Sequence, residues 1–150
     1  IDIAKSIDKF IEEKELGADA LSINKKELVE LAEDSRGAVK NFLMDQSKIA
    51  GIGNIYADEI LFQEGIHPKK KIENIDEKQL RKMYSTMKRV LKMGIKKQGE
   101  RFPSGYLIGR RRAVSRDDEK AAKCPRCSGK IKNMTVGGRS TYYCDKHQKK

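Results

Sequence analysis

Four potential metal ligands near the end of the chain constrain its fold more than any other feature. Cys124 and Cys127 are separated by two residues, Cys144 and His147 are also separated by two, and sixteen residues lie between the pairs. A tetrahedral structural zinc ion requires four ligands, and a two-residue gap lets both side chains of a tight turn face one ion. The spacing therefore predicts that Cys124, Cys127, Cys144 and His147 bind one zinc ion.

The segment between the two ligand pairs has the pattern of a β-hairpin. Two β-prone runs, residues 130–136 and 139–143, flank Gly137 and Gly138, and a Gly-Gly pair is typical of a two-residue hairpin turn. Because this segment has too few apolar residues to fold unaided, zinc binding would supply its folding free energy. Two alternatives stay open: thiols that bind no metal, and iron in place of zinc. A disulfide framework is disfavoured, because three cysteines cannot pair completely.

Apolar residues at helical spacing predict that the rest of the chain is mainly α-helical. One short amphipathic helix is expected over about residues 3–11, and further helices are expected to begin near Asn24, near Gly37, at Asn54 and shortly before Leu80. We expect four successive units: a connecting segment (1–15), a helical domain (16–100), a linker or loop (101–120) and a zinc finger (121–150).

Local signals mark the ends of two of these helices. Asn24 is a candidate N-cap with Glu27 three residues later, which is the spacing of a capping box. The glycines at 51 and 53 predict a turn before Asn54, and Gly65 predicts the end of the helix that begins there.

Charge is distributed unevenly along the chain. Residues 1–66 carry 8 basic and 14 acidic side chains, whereas residues 67–150 carry 25 basic and 8 acidic ones, within a net charge of +11. A strongly basic half is suited to binding a polyanion. No apolar run has the length of a membrane span, and no signal-peptide pattern opens the chain. We therefore expect a soluble protein with no membrane partner.

Two stretches are similar to one known family. The first, residues 42–62, reads FLMDQSKIAGIGNIYADEILF and is followed by GIHP at 65–68. It resembles the helix-two-turn-helix segment of the formamidopyrimidine-DNA glycosylase and endonuclease VIII family. The second, residues 136–144, reads VGGRSTYYC and resembles that family's zinc-finger hairpin. The resemblance extends from about Leu16 to the end of the chain. It implies a mainly α fold in which a helix-two-turn-helix domain precedes a β-hairpin zinc finger.

The resemblance assigns four residues to DNA binding. Arg36 and Lys40 match positions that contact the DNA backbone, and Asn54 matches a position whose amide donates to a phosphate. Arg139 matches an arginine that contacts the phosphates beside the flipped nucleotide and has a catalytic part in the later elimination step. The residues alone leave simpler roles open: a solvated helix face for the first two, an N-cap for Asn54 and an exposed turn for Arg139.

The family's N-terminal β-sandwich domain, whose N-terminal proline attacks the sugar of the damaged nucleotide, has no counterpart in this chain, which begins Ile1-Asp2-Ile3. The resemblance therefore implies the DNA-binding half of a base-excision repair DNA glycosylase and AP lyase acting on oxidised bases. Its partners would be double-stranded DNA with a damaged base or abasic site and the missing catalytic domain of the same protein. We expect a monomer in the cytoplasm, associated with the nucleoid, and no glycosylase activity from this part alone.

Two other functions stay open at this level. The chain could be a structural or RNA-binding module, since similar helical elements and basic zinc ribbons occur in ribosomal proteins and translation factors. A complete small enzyme is disfavoured, because it has only two histidines and its cysteines are assigned to zinc. We expect His67 to cap or pack, and Tyr142 or Tyr143 to pack rather than stack on bases. The Arg110–Arg112 cluster departs from the family's longer Gly-rich loop, so the preferred damaged base is not predicted.

Overall fold

The computed structural model describes residues 18–96, 105–108 and 123–150. The helix expected over residues 3–11 lies outside the described residues, as does the 101–120 linker except for 105–108. The helices of the described ranges are α1 (Lys25–Glu33), α2 (Val39–Met44), α3 (Asn54–Glu64) and α4 (Glu77–Lys96), with a 3-10 turn at Ile72–Asn74. The strands are β1 (Ala18–Asp19), β2 (Ile49–Ala50), β3 (Ile131–Val136) and β4 (Arg139–Cys144).

The helical body is built on a core stripe along α4. Leu80, Met83, Met87 and Val90 are buried on one face of this helix, at the spacing that keeps side chains on one side of an α-helix. They pack with the buried residues of α1, α2 and α3 in one cluster. None of the helices in the described ranges is long and apolar enough to cross a membrane.

The predicted ends of α1 and α3 are confirmed. The Asn24 side chain accepts the N–H of Glu27 (2.8 Å), and the Glu27 carboxylate accepts the N–H of Asn24 (3.3 Å), which completes the capping box. Gly65 ends α3 in the left-handed region at φ 73°, a conformation that glycine adopts without steric cost.

The predicted hairpin is also confirmed. Strands β3 and β4 are antiparallel, with Val136 opposite Arg139 at one end and Ile131 opposite Cys144 at the other. Gly137 and Gly138 form the turn with φ of 58° and 78°, the two positive values that a type I′ turn requires.

The finger packs directly on the helical body. Phe62 of α3 is fully buried in a second cluster with Leu107, Ile131 and Tyr142, so Tyr142 packs as expected. The backbone adds to this contact, because the His67 N–H donates to the Lys149 carbonyl at 2.9 Å. The hairpin is therefore positioned by α3.

Candidate zinc centre and nucleic-acid interface

The four predicted metal ligands lie together in one cluster. Their ligand atoms are all within 4.8 Å of one another. The Cys127 Sγ lies 3.4 Å from both Cys144 Sγ and His147 Nδ1, and the Cys124 Sγ lies 3.5 Å from the same nitrogen. A tetrahedral zinc ion would hold sulfur and nitrogen ligands about 3.5–3.8 Å apart. The cluster fits one structural zinc ion, and its four ligands complete the coordination without a substrate or water.

His147 is held in the correct tautomer by the helical body. Its Nε2 lies 3.0 Å from the carbonyl oxygen of Phe62, and the two rings contact edge to face at 4.7 Å. A proton on Nε2 donates to that carbonyl, which leaves the Nδ1 lone pair directed at the thiols. Outer hydrogen bonds of this kind orient metal-binding histidines and fix their tautomer.

Backbone N–H groups surround the three sulfur ligands. The donors are Arg126 to Cys124 (3.4 Å), Gly129 to Cys127 (3.3 Å) and Lys146 to Cys144 (3.4 Å). Without metal, burial raises the pKa of Cys124 to about 12. Burial also opposes ionisation of Cys127, but hydrogen bonds led by the Gly129 N–H lower its pKa to about 6. Since zinc binds thiolates, metal binding must release the protons that remain.

The turn before α3 is shaped to present backbone donors. Gly51 has φ of 100°, and the side chain of Gln46 fastens the turn by accepting the Gly51 N–H (3.0 Å) and donating to the Ile52 carbonyl (3.2 Å). Gly53 is the N-cap, and no side chain in the described residues caps the first turn of α3. The first N–H groups of α3, at the positive end of the helix dipole, are therefore available to an anion.

Asn54 joins this turn to the hairpin. It is the first residue of α3 and not its N-cap, which is Gly53, so the simpler N-cap role considered for Asn54 is wrong. Its Nδ2 donates to the Ser140 carbonyl on β4 at 3.0 Å. Its Oδ1 is buried without a hydrogen-bond partner among the described residues. The bond to Ser140 brings the start of α3 next to the hairpin residue that follows Arg139.

The two predicted arginines lie at the surface. Arg139 begins β4, directly after the hairpin turn, and is exposed. Arg36 is exposed in the loop between α1 and α2, so the alternative of a solvated helix face does not apply to it. Neither guanidinium forms an ion pair within 4.0 Å in the part of the chain that the structure describes. Both are open to a phosphate.

Lys40 lies inside the protein and not at its surface. Its side chain is 1% exposed and its Nζ lies 2.8 Å from Asp58 Oδ1. The same nitrogen donates to Thr141 Oγ1 at 2.5 Å, and Asp58 Oδ2 accepts the N–H of Tyr142 at 3.1 Å. Because the ammonium is turned inward and paired, the solvated helix face considered for Lys40 is wrong. The buried pair instead fastens α2 and α3 to β4.

Two acidic residues were not identified from the sequence. Asp58 and Glu59 are both fully buried, and the Glu59 carboxylate accepts the N–H groups of Leu107 (3.0 Å) and Ile108 (2.8 Å). The available signal was two adjacent acids inside the apolar pattern of α3. Buried carboxylates require such partners, so both residues act as anchors between α3 and the segments that pack on it.

Comparison with known proteins identifies the family. Residues 16–104 match the family described as "Formamidopyrimidine-DNA glycosylase H2TH domain", and residues 122–146 match "Zinc finger found in FPG and IleRS". The formamidopyrimidine-DNA glycosylase of Histophilus somni (strain 2336) is 35% identical over 145 residues, which are 90% of this chain and 53% of that protein. The enzyme of Haemophilus influenzae (strain 86-028NP) is 33% identical over 97% of this chain and 56% of its own length. The chain thus spans about half the length of these relatives.

Solved structures give the same result. Lactococcus lactis Fpg in complex with DNA containing an abasic site superposes with a TM-score of 0.75 at 26% identity, covering all of this chain and 57% of that one. MutM in complex with DNA containing carbocyclic 8-oxo-G superposes with a TM-score of 0.75 at 26% identity, covering 97% of this chain and 55% of that one. The chain belongs to the formamidopyrimidine-DNA glycosylase family and contains the helix-two-turn-helix domain and zinc finger of its C-terminal part.

Proposed function

We propose that this chain is the DNA-binding half of a DNA glycosylase of base-excision repair. In this proposal it holds duplex DNA by its phosphates around a damaged or abasic nucleotide. The observation that carries the proposal is the 3.0 Å bond from Asn54 Nδ2 to the Ser140 carbonyl. That bond joins the uncapped start of α3 to the strand that carries Arg139, so donors from two separate elements form one surface.

Each component of this surface suits a phosphate oxygen. The N–H groups at the start of α3 offer hydrogen bonds and the positive end of the helix dipole. The Arg139 guanidinium offers two parallel donors, the geometry that phosphate prefers. Arg36 adds a second exposed cation, while Lys40 contributes from inside by keeping β4 in place on α3. Contacts of this kind position the duplex but do not read its sequence.

We further propose that Arg139 assists the elimination step. When the sugar loses its 3′ phosphate, negative charge grows on the departing group, and a guanidinium already in contact with that phosphate stabilises the charge. Removal of the base itself requires a nucleophile and an acid from the catalytic domain of the whole protein. We therefore expect this chain to bind an abasic site as a monomer and not to release a damaged base.

Fluorescence anisotropy with a duplex that contains an abasic-site analogue tests this proposal. Arg139→Ala should weaken binding about tenfold or more, because it removes a hydrogen bond to a charged group, which contributes about 1.5–3 kcal/mol. Asn54→Ala should also weaken binding, because it removes the 3.0 Å bond that holds the hairpin beside the start of α3. Lys130→Ala is the matched control, since Lys130 is an exposed cation just before β3, outside this surface. Undiminished binding by both test variants would contradict the proposal, and stronger binding to a structured RNA competitor would favour an RNA-binding module.

A further inference from the structure

A second cationic surface lies beside the one proposed to hold the lesion. Lys69, Lys70, Lys71 and Lys150, here called the lysine patch, line a depression of about 440 Å³ together with Asn74. Two backbone bonds create it: the His67 N–H donates to the Lys149 carbonyl at 2.9 Å, and the Lys149 N–H donates to the Gly65 carbonyl at 2.9 Å. The last two lysines are thereby brought alongside the loop that follows α3.

In the part of the chain that the structure describes, the lysine patch forms no ion pair. Within the described ranges, no carboxylate lies within 4.0 Å of these four ammonium groups. Lys70 donates to the neutral Gln79 side chain at 3.3 Å, and the other three side chains are exposed. Burial lowers the pKa of the neighbouring His67, and the charges of Lys150 and Lys69 lower it further. Like charges gathered in this way destabilise the folded chain, and a bound polyanion would relieve that repulsion.

The lysine patch is continuous with the proposed DNA-binding surface on one side. Lys71 pairs with Ala38 in a backbone bridge, and the Gly37 N–H donates to the Glu73 carboxylate at 2.8 Å. Hydrogen bonds from its own N–H and from Gly37 lower the pKa of Glu73, and the charges of Lys71 and Arg36 lower it further. The Glu73 carboxylate therefore lies near both Lys71 and Arg36, which places the lysine patch next to the Arg36 end of the proposed DNA-binding surface.

On its other side the lysine patch adjoins the hairpin. The ring of His67, two residues before Lys69, contacts the ring of Tyr143 at 5.0 Å between centroids. Tyr143 lies four residues along β4 from Arg139, which is about 13 Å of strand. The same distance corresponds to about four base pairs of duplex rise.

We propose that the lysine patch binds phosphates of the same duplex, a few nucleotides beyond those held by Arg139 and Asn54. It would lengthen the DNA footprint and add affinity that is independent of the lesion. This inference rests on the proposed function, because it takes the duplex to be already seated on the α3 and hairpin surface. The ligand is DNA backbone phosphate, and the recognition is electrostatic.

The test compares two double variants with the same loss of charge. Lys69→Gln/Lys71→Gln removes two exposed members of the patch, and Lys26→Gln/Lys82→Gln removes two exposed lysines from α1 and α4. Affinity for an abasic-site duplex is measured by anisotropy over a series of salt concentrations. For each phosphate contact removed, the slope of log affinity against log salt should become less steep by about 0.9. Affinity at ~0.1 M salt should fall about eightfold per contact. The control should retain the parent slope.

The outcomes separate the two proposals. If the parent binds the duplex and the patch variant retains the slope and affinity of the control, the inference about the lysine patch is overturned and the proposed function stands. If the parent does not bind the duplex, both are overturned.

A second measurement uses the unmodified chain and so does not depend on a variant folding. Lysine acetylation of the parent, followed by mass spectrometry, should show Lys69 and Lys71 protected by the duplex while Lys26 and Lys82 react as before. Equal labelling of all four with and without DNA would overturn the inference about the patch.

Discussion

Replacing Lys40 by methionine tests the buried ion pair that joins the helices to the hairpin. The 2.8 Å separation from Asp58, with both side chains at most 1% exposed, corresponds to an attraction of about 6 kcal/mol at an effective dielectric constant of about 20. Desolvation offsets much of that attraction in the intact pair. Lys40→Met leaves the Asp58 carboxylate buried without the Lys40 ammonium, so we expect it to lower the free energy of unfolding by about 3–5 kcal/mol.

Urea unfolding followed by far-UV circular dichroism, with zinc saturating in every sample, measures this loss. With a slope of about 2 kcal/mol per molar urea, the midpoint should fall by about 2 M. The double variant Lys40→Met/Asp58→Asn removes both charges and should recover about 2–3 kcal/mol relative to the sum of the single variants. A single variant within about 0.5 kcal/mol of the parent, or strictly additive losses, would refute the buried pair.

The same variant separates a positioning role for Lys40 from a phosphate contact. If Lys40 acts only by keeping β4 on α3, Lys40→Met weakens binding to the abasic-site duplex without changing the salt slope. If Lys40 contacts the DNA backbone directly, Lys40→Met instead makes the salt slope less steep by about 0.9.

Three further predictions follow from the finger and its supports. Chelating the zinc should abolish duplex binding and the near-UV circular dichroism signal of the tyrosines, and His147→Ala should lower the zinc content. A metal-free chain that still binds the duplex and keeps the near-UV signal would contradict a structural role for the ion. A Cβ at Gly129 would lie 2.8 Å from the sulfur of the zinc ligand Cys144, so Gly129→Ala should weaken zinc binding about tenfold in a chelator competition. Gly53→Ala is the control and should leave zinc binding unchanged, because nothing lies within 4 Å of a Cβ at Gly53. Glu59→Gln should speed amide exchange at residues 107–108 about tenfold or more, since it replaces one charged acceptor; unchanged exchange would exclude the anchor.

Features set by local spacing could be predicted from the sequence. The capping box at Asn24, the end of α3 at Gly65 and the Gly137-Gly138 turn each depend on residues a few positions apart, whose conformational preferences are strong. The zinc ligands were predicted for the same reason, since each pair occupies one tight turn and the hairpin returns the second pair to the first.

The environment of Lys40 could not be predicted in this way. Its partners, Asp58 and Thr141, lie 18 and 101 residues further along the chain, so no local pattern indicates that the three meet. Resemblance to the family identifies the position of Lys40 within the motif, but it does not show whether the ammonium points outward or inward. The packing of β4 on α3 decides which way the ammonium points, and this packing depends on the whole fold.

The salt dependence of binding tests the central claim most directly, because that claim is that cations and helix-end donors hold DNA by its phosphates. The affinity of the zinc-loaded parent for an abasic-site duplex is measured over a series of salt concentrations. Arg36 and Arg139, with two contacts from the lysine patch, predict a log–log slope between about −2 and −4. A slope near zero, or displacement of the duplex by an equal concentration of structured RNA, would contradict the account.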